Sequence, residues 1–214
     1  MSNLLTKSNS MRSSMPSHRK RKTKILGFGF NNADYVVDPG KSSGIGADPA
    51  YHTWMRMLIR CYSESFLKKN PTYRGVTVCS SWSEFMNFRS WWADNVVDGW
   101  EIDKDLLYPG NRIYGPETCI FVPPWLNRFL IGSEAARGNL PIGVFYHKRD
   151  RKYRAQLSMG DSKQKTLGAF KTPEEAYHAW VTAKINLAIS LKPKMDEIDH
   201  RIFENVIAII KSKV

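Results

Sequence analysis

The sequence predicts an α+β fold, and three observations carry that prediction. Residues 143–170 hold three short alternating runs, followed at once by a stretch with the signature of a helix start. Between residues 51 and 92, large apolar residues recur at helical spacing on either side of a short β-branched run. Beyond Pro193, Ile198, Ile202, Phe203, Val206, Ile207 and Ile210 form one more helical stripe.

Residues 1–24 are rich in Ser, Lys and Arg and poor in large apolar residues, which predicts a disordered basic tail. Within it, Arg19, Lys20, Arg21 and Lys22 are candidates for holding a DNA backbone. Residues 25–50 contain Gly27, Gly29, Gly40, Gly44 and Gly46 and predict an irregular arm, too sparse in glycine for a phosphate loop. A compact module is expected over 51–130. It opens with a helix carrying Tyr51, Trp54, Met55, Leu58, Ile59 and Tyr62, which ends before Pro71 and Gly75. Val76–Cys79 reads as a strand. Ser81 or Ser83 then caps a second helix with Trp82, Phe85, Phe88, Trp91 and Trp92 along it, an aromatic stripe read as core. Trp100–Leu107 leads into a turn at Pro109 and Gly110. Two short strands, Asn111–Tyr114 and Cys119–Val122, and a helix over 123–130 follow. Residues 131–141 read as a linker.

The segment 142–191 is the most informative. In its three strands Val144, Tyr146, Tyr153, Ala155, Leu157, Lys165 and Leu167 alternate with Phe145, His147, Arg154, Gln156, Ser158, Gln164 and Thr166. Thr172 suits a helix N-cap, Pro173 the first helical position and Glu175 the reciprocal capping bond. Ala176, Tyr177, Ala179, Trp180, Ala183 and Leu187 give that helix a packing face, and its small alanines let it lie close to the sheet. The second set of strand residues is then left open, with Lys148, Arg149, Arg151 and Lys152 on the first turn. A two- or three-stranded sheet fits the DNA major groove, where Arg and Gln read guanine and adenine edges and turn cations grip phosphate. Residues 192–214 form a C-terminal helix whose stripe either packs back on the chain or pairs two chains as a homodimer.

The charge agrees with a polyanion partner. The formal net charge is +12, of which residues 1–24 carry +7, residues 25–136 carry −2, residues 137–192 carry +7 and the rest none. An excess confined to one tail and one module is what phosphate neutralisation uses, whereas solubility alone does not require it. No apolar run approaches a membrane span, and the first residues lack a signal peptide's apolar stretch, so a cytoplasmic protein is expected. Cys61, Cys79 and Cys119 are widely spaced without a CxxC pair, which predicts reduced thiols rather than a zinc site or disulfide framework.

The run from Gly143 to Ala188, with its RAQL, LGAF and KTPEEAYHAW segments, resembles the Apetala-two/ethylene-response-factor DNA-binding domain in the form phages carry. That resemblance implies a sheet inserted in the major groove, with base-contacting positions at Phe145, His147, Gln156, Ser158, Gln164 and Thr166. Plant members have mainly Arg, Trp and Glu there, so their target does not transfer.

EIDKDLLYPGNRIYGPETCIFVPPWLN resembles the strand–turn–strand–helix of phage HNH, or His-Me finger, homing endonucleases, and the stretch from Tyr51 to Phe88 resembles their lead-in. Together the resemblances imply a degenerate His-Me finger module followed by a three-stranded antiparallel sheet packed on one helix, plus a C-terminal helix, acting in the host cytoplasm or nucleoid. An active site of this kind uses a neutral His as base beside a divalent metal. Here the Asp-His pair reads Asp103-Lys104, and lysine, with an unperturbed pKa near ~10.4, is a poor base. Asp103 and Asp105, taken to share one strand face, are the candidate Mg²⁺ ligands. Asn111 and Asn127 stand at the family's asparagine positions. His52 is the only histidine between residues 19 and 146. The favoured expectation is a double-stranded DNA-binding repressor on a retired nuclease scaffold, with no cofactor. The alternative is an active metal-dependent endonuclease with Asp103, Lys104 and Asn127 in catalytic roles. An RNA- or host-factor-binding protein would explain the tail but not the sheet.

Overall fold

The computed structural model describes residues 23–130, 139–160 and 163–212. Arg19, Lys20, Arg21 and Lys22 of the expected tail, and residues 131–138 of the expected linker, lie outside the described residues. The fold is α+β, with its strands in two two-stranded sheets and one three-stranded sheet.

Helix α1, Pro49–Tyr62, begins where the Asp48 carboxylate accepts from the amides of Ala50 and Tyr51, with Pro49 in the first turn. It buries Trp54, Met57, Leu58 and Cys61. The short α2, Glu64–Lys69, follows, and then strand β1, Thr77–Val78. Helix α3 spans Phe85–Asn95. The expected serine cap is absent, because Ser80–Ser83 wind into a 3₁₀ turn that carries Trp82 and Glu84 is the N-cap, without a side-chain bond. That turn tucks Trp82 under α1, where the Trp54 indole N–H donates to the Trp82 carbonyl at 2.8 Å. Trp82 then meets Phe88 edge to face and tilts against Trp91, so the aromatic stripe is core as expected.

The arm at 25–50 is irregular but not separate. Phe28 stacks on Tyr62 at 4.8 Å, Val37 is buried, and Phe30 bridges to Glu84. Gly29 passes so close to α1 that a Cβ there would lie 2.6 Å from Leu58 and 2.7 Å from Trp54. The expected module boundary near residue 50 is therefore corrected: the arm contributes to the first core.

Strands β2, Glu101–Asp103, and β4, Ile120–Val122, pair antiparallel, while β3, Ile113–Tyr114, runs parallel to β1. Helix α4 spans Pro124–Leu130. The C-terminal sheet is β5, Val144–His147, β6, Lys152–Gly160, and β7, Lys163–Phe170, in that order and antiparallel. Helix α5, Pro173–Asp196, crosses its inner face, and the Thr172 Oγ1 accepts from the Glu175 amide at 3.2 Å. The Glu175 carboxylate reaches one residue beyond the expected reciprocal bond, to the Lys171 amide.

Two halves of α5 do different work. The first covers the sheet through Ala176, Tyr177 and Trp180, against Val144, Ala155 and Leu157. The second runs on through Pro193 and buries Ala188 and Met195 against Leu106, Leu107, Val122 and Leu126. Helix α6, Ile202–Ser212, closes the same cluster with Ile202, Val206 and Ile210. Of the two uses open to the C-terminal stripe, packing back on the chain is the one found; Ile198 lies before the helix begins. Each large buried side chain contributes roughly 1.5–3 kcal/mol, so α5 and α6 hold the sheet firmly to the middle module. No helix among the described residues is long and apolar enough to cross a membrane.

Candidate nucleic-acid interface

Strand register decides which side chains share a face, because directly opposed residues on antiparallel strands point the same way. The β5–β6 pairs are Val144 with Ala155, Phe145 with Arg154, Tyr146 with Tyr153 and His147 with Lys152. The β6–β7 pairs add Arg154 with Ala169, Gln156 with Thr166 and Ser158 with Gln164. Since Val144, Ala155 and Leu157 lie under α5, the opposite face carries four rows. These are His147–Lys152, then Phe145–Arg154–Ala169, then Gln156–Thr166, then Ser158–Gln164. Phe145, Ser158, Gln164 and Thr166 are exposed, and Lys148, Arg149 and Arg151 stand exposed on the connecting turn.

From Lys152 to Ser158 the rows extend about 20 Å at ~3.4 Å per residue, the length of roughly six base pairs at ~3.4 Å each. Register shifts fall between Ala155 and Gln156 and between Ser158 and Gly160. Such irregularities bend a strand and increase its local twist.

The turn between β5 and β6 holds a residue the sequence reading missed. Asp150 receives the Arg154 Nη2 at 2.6 Å and meets the His147 Nδ1 at 2.5 Å. The hydrogen bond from Arg154, with a smaller contribution from His147, lowers the Asp150 carboxyl to about 2. Arg151, in the same turn, adopts a positive φ of 50°, and Asp150 reaches a side chain on each flanking strand, His147 and Arg154. Its one available signal was local: Asp150 is the only acid between Gly143 and Gly160.

The middle module places its candidates differently. Strand β2 ends at Asp103, so Asp103 and Asp105 do not share a strand face, contrary to expectation. Asp103 Oδ1 instead accepts from the amides of Asp105 and Leu106 at 2.9 and 2.7 Å, forming an Asx turn. Burial, reinforced by the neighbouring Asp105 charge, pushes the Asp103 carboxyl up to about 6. Lys104 is 8% exposed and donates to Asp105 at 2.6 Å and to the Asn111 carbonyl at 3.2 Å. Asn111 is spent on the carbonyls of Lys104 and Ile113, and Asn127 donates to Glu101 at 2.7 Å. His52 is exposed on α1.

These residues do not fit a divalent metal. The Lys104 cation already neutralises Asp105, Asp103 Oδ1 is bound to backbone amides, and the Asn111 side chain is held at both ends, its nitrogen donating to the Lys104 and Ile113 carbonyls and its oxygen accepting from the Ile113 amide. Among the described residues no group of three or more His, Cys, Asp or Glu is placed to hold a metal. The cysteines are free, and burial pushes the Cys61 and Cys119 thiols up to about 12, which makes them unreactive.

No protein-family profile, no curated protein and no solved structure matches this chain.

Proposed function

We propose that the chain is a sequence-specific double-stranded DNA-binding protein, of the kind a phage or mobile element derives from a homing-endonuclease scaffold, and that it acts by occupying its site as a repressor does. The observation that carries this reading is the four-row ladder on the open face of β5, β6 and β7. Arg154, Gln156 and Gln164 present donors and acceptors matched to guanine and adenine edges, and Phe145 offers an apolar contact for a thymine methyl. Lys148, Arg149, Arg151 and Lys152 supply phosphate contacts that set register without reading sequence. The middle module serves as a rigid support, because α5 packs on both the sheet and the β2–β4 cluster. Catalysis is not needed for this role, and neither is a cofactor.

The test is selection of bound duplexes from a randomised library, followed by footprinting across a salt series with and without Mg²⁺ or Mn²⁺. A protected site of about six base pairs, with affinity falling as salt rises, is expected. Binding without preference among duplexes would overturn sequence reading. Metal-dependent nicking at the selected site, abolished by Asp103→Ala, would replace the repressor role with that of an endonuclease.

A further inference from the structure

Asp150 is out of place on a surface that approaches a polyanion. It is the sole acid from Gly143 to Gly160, among Lys148, Arg149, Arg151 and Lys152, and its carboxylate repels phosphate. What it gains is order in its neighbours. Arg154 sits on the central strand, directly opposite Phe145 on one side and Ala169 on the other. Its Nη2 is held by Asp150 at 2.6 Å, while its Nε–H is shut off from water with no partner among the described residues. The small Ala169 and the flat Phe145 leave the Nη end of the guanidinium as the group this row can offer. A long side chain fixed before binding forfeits less rotamer entropy, and a fixed planar fork is selective for paired acceptors.

We infer that Asp150 is a positioning residue which pins Arg154 for a guanine, so that the Phe145–Arg154 row selects a G·C pair while the carboxylate weakens binding to all other DNA. This rests on the major-groove reading above. Guanine is the base whose groove edge carries two adjacent acceptors, O6 and N7, the match for two parallel guanidinium donors. His147 takes the second Asp150 oxygen and keeps that carboxylate from rotating away. The same restraint has two opposite consequences. Discrimination rises because a mismatched base cannot be met by swinging the arginine elsewhere, and general affinity falls because one negative charge stands in the phosphate grip.

The experiment compares wild type, Asp150→Asn and Arg154→Ala on three duplexes: the selected site, the same site with one candidate guanine replaced in turn, and a scrambled sequence. Asp150→Asn is expected to bind the scrambled duplex severalfold more tightly and to lose about tenfold in the ratio of selected to scrambled affinity. Arg154→Ala is expected to abolish preference at one G·C position and leave the others intact. DNA-free thermal unfolding of each variant separates a folding defect from a binding effect, since both side chains are only a third exposed. An unchanged ratio in Asp150→Asn, with the wild type still discriminating, overturns the positioning role alone. A wild type that discriminates between none of the duplexes overturns the major-groove reading, and this inference with it.

Discussion

Lys104 Nζ lies 2.6 Å from Asp105 Oδ2 and 3.2 Å from the Asn111 carbonyl, in the turn that follows β2. A buried cation thus stands among the carboxylates where a base and a metal were the alternative expectation. Placing a histidine at position 104 does not build a site, because Asp103 remains in its Asx turn and Asn127 remains on Glu101. Lys104→His is expected to give no nicking of supercoiled DNA in Mg²⁺ or Mn²⁺. It is expected to cost about 1–2 kcal/mol in denaturant unfolding, through the lost bond to Asn111. Metal-dependent nicking by this variant would mean the scaffold is poised for catalysis after all.

Asp103 makes the chain's stability depend on pH. Its folded carboxyl titrates near about 6 against an ordinary 3.8, chiefly through burial and secondarily through the Asp105 charge. A raised carboxyl contributes stability that is complete below the unfolded value and lost as pH rises through the folded one. The window therefore runs from about 4 to about 6. Asp103→Asn keeps an oxygen for the Asp105 and Leu106 amides and removes the buried charge. It is expected to be more stable than wild type in denaturant unfolding at pH 8, by on the order of 3 kcal/mol, and to show no gain at pH 4. A stabilisation equal at both pH values would count against the ionisation as its cause.

Gly143 separates the two kinds of glycine in this chain. It has φ 77°, and a Cβ there would fall 2.0 Å from the Trp180 ring. Gly160 has a similar φ of 87°, and no described residue would lie within 4 Å of a Cβ there. Gly160→Ala is expected to cost about 1 kcal/mol of backbone strain, whereas Gly143→Ala adds a collision with Trp180 and is expected to cost about 3 kcal/mol or more. Chemical denaturation of the two variants checks the difference. Equal losses would show that Trp180 yields freely, and that α5 is not tightly seated on the sheet.

Local chemistry was legible in the sequence, and distant packing was not. The Thr172 cap, Pro173 and the alternation in β5–β7 depend on neighbours a few residues apart, so the sheet-and-helix module could be read directly. The arm at 25–50 looked loose because its partners are remote: Phe28 finds Tyr62, and Gly29 finds Trp54 and Leu58. The serines at 80–83 carried a valid capping signal, but the burial of Trp82 draws them into a 3₁₀ turn instead. Asp103 and Asp105 alternate as strand residues do, yet the Asx turn ends β2 between them. Asp150 escaped notice because its role needs a turn that brings it to side chains on both flanking strands.

Lys152 and Gln156 divide the labour of the proposed interface, and their variants should part company. Both lie on β6 on the open face, two rows apart, Lys152 across from His147 and Gln156 across from Thr166. An exposed lysine beside a basic turn neutralises phosphate, and phosphate is present whatever the sequence. Lys152→Ala is expected to weaken binding to selected and scrambled duplexes alike and to reduce the salt slope by about 1. An amide facing base edges makes paired hydrogen bonds with adenine only. Gln156→Ala is expected to cost about 1–3 kcal/mol on the selected duplex, nothing on the scrambled one, and to leave the salt slope alone. Titrations at several salt concentrations measure both quantities at once. If Gln156→Ala weakened every duplex equally, the open face would be a phosphate platform, and the specificity would have to reside outside the sheet.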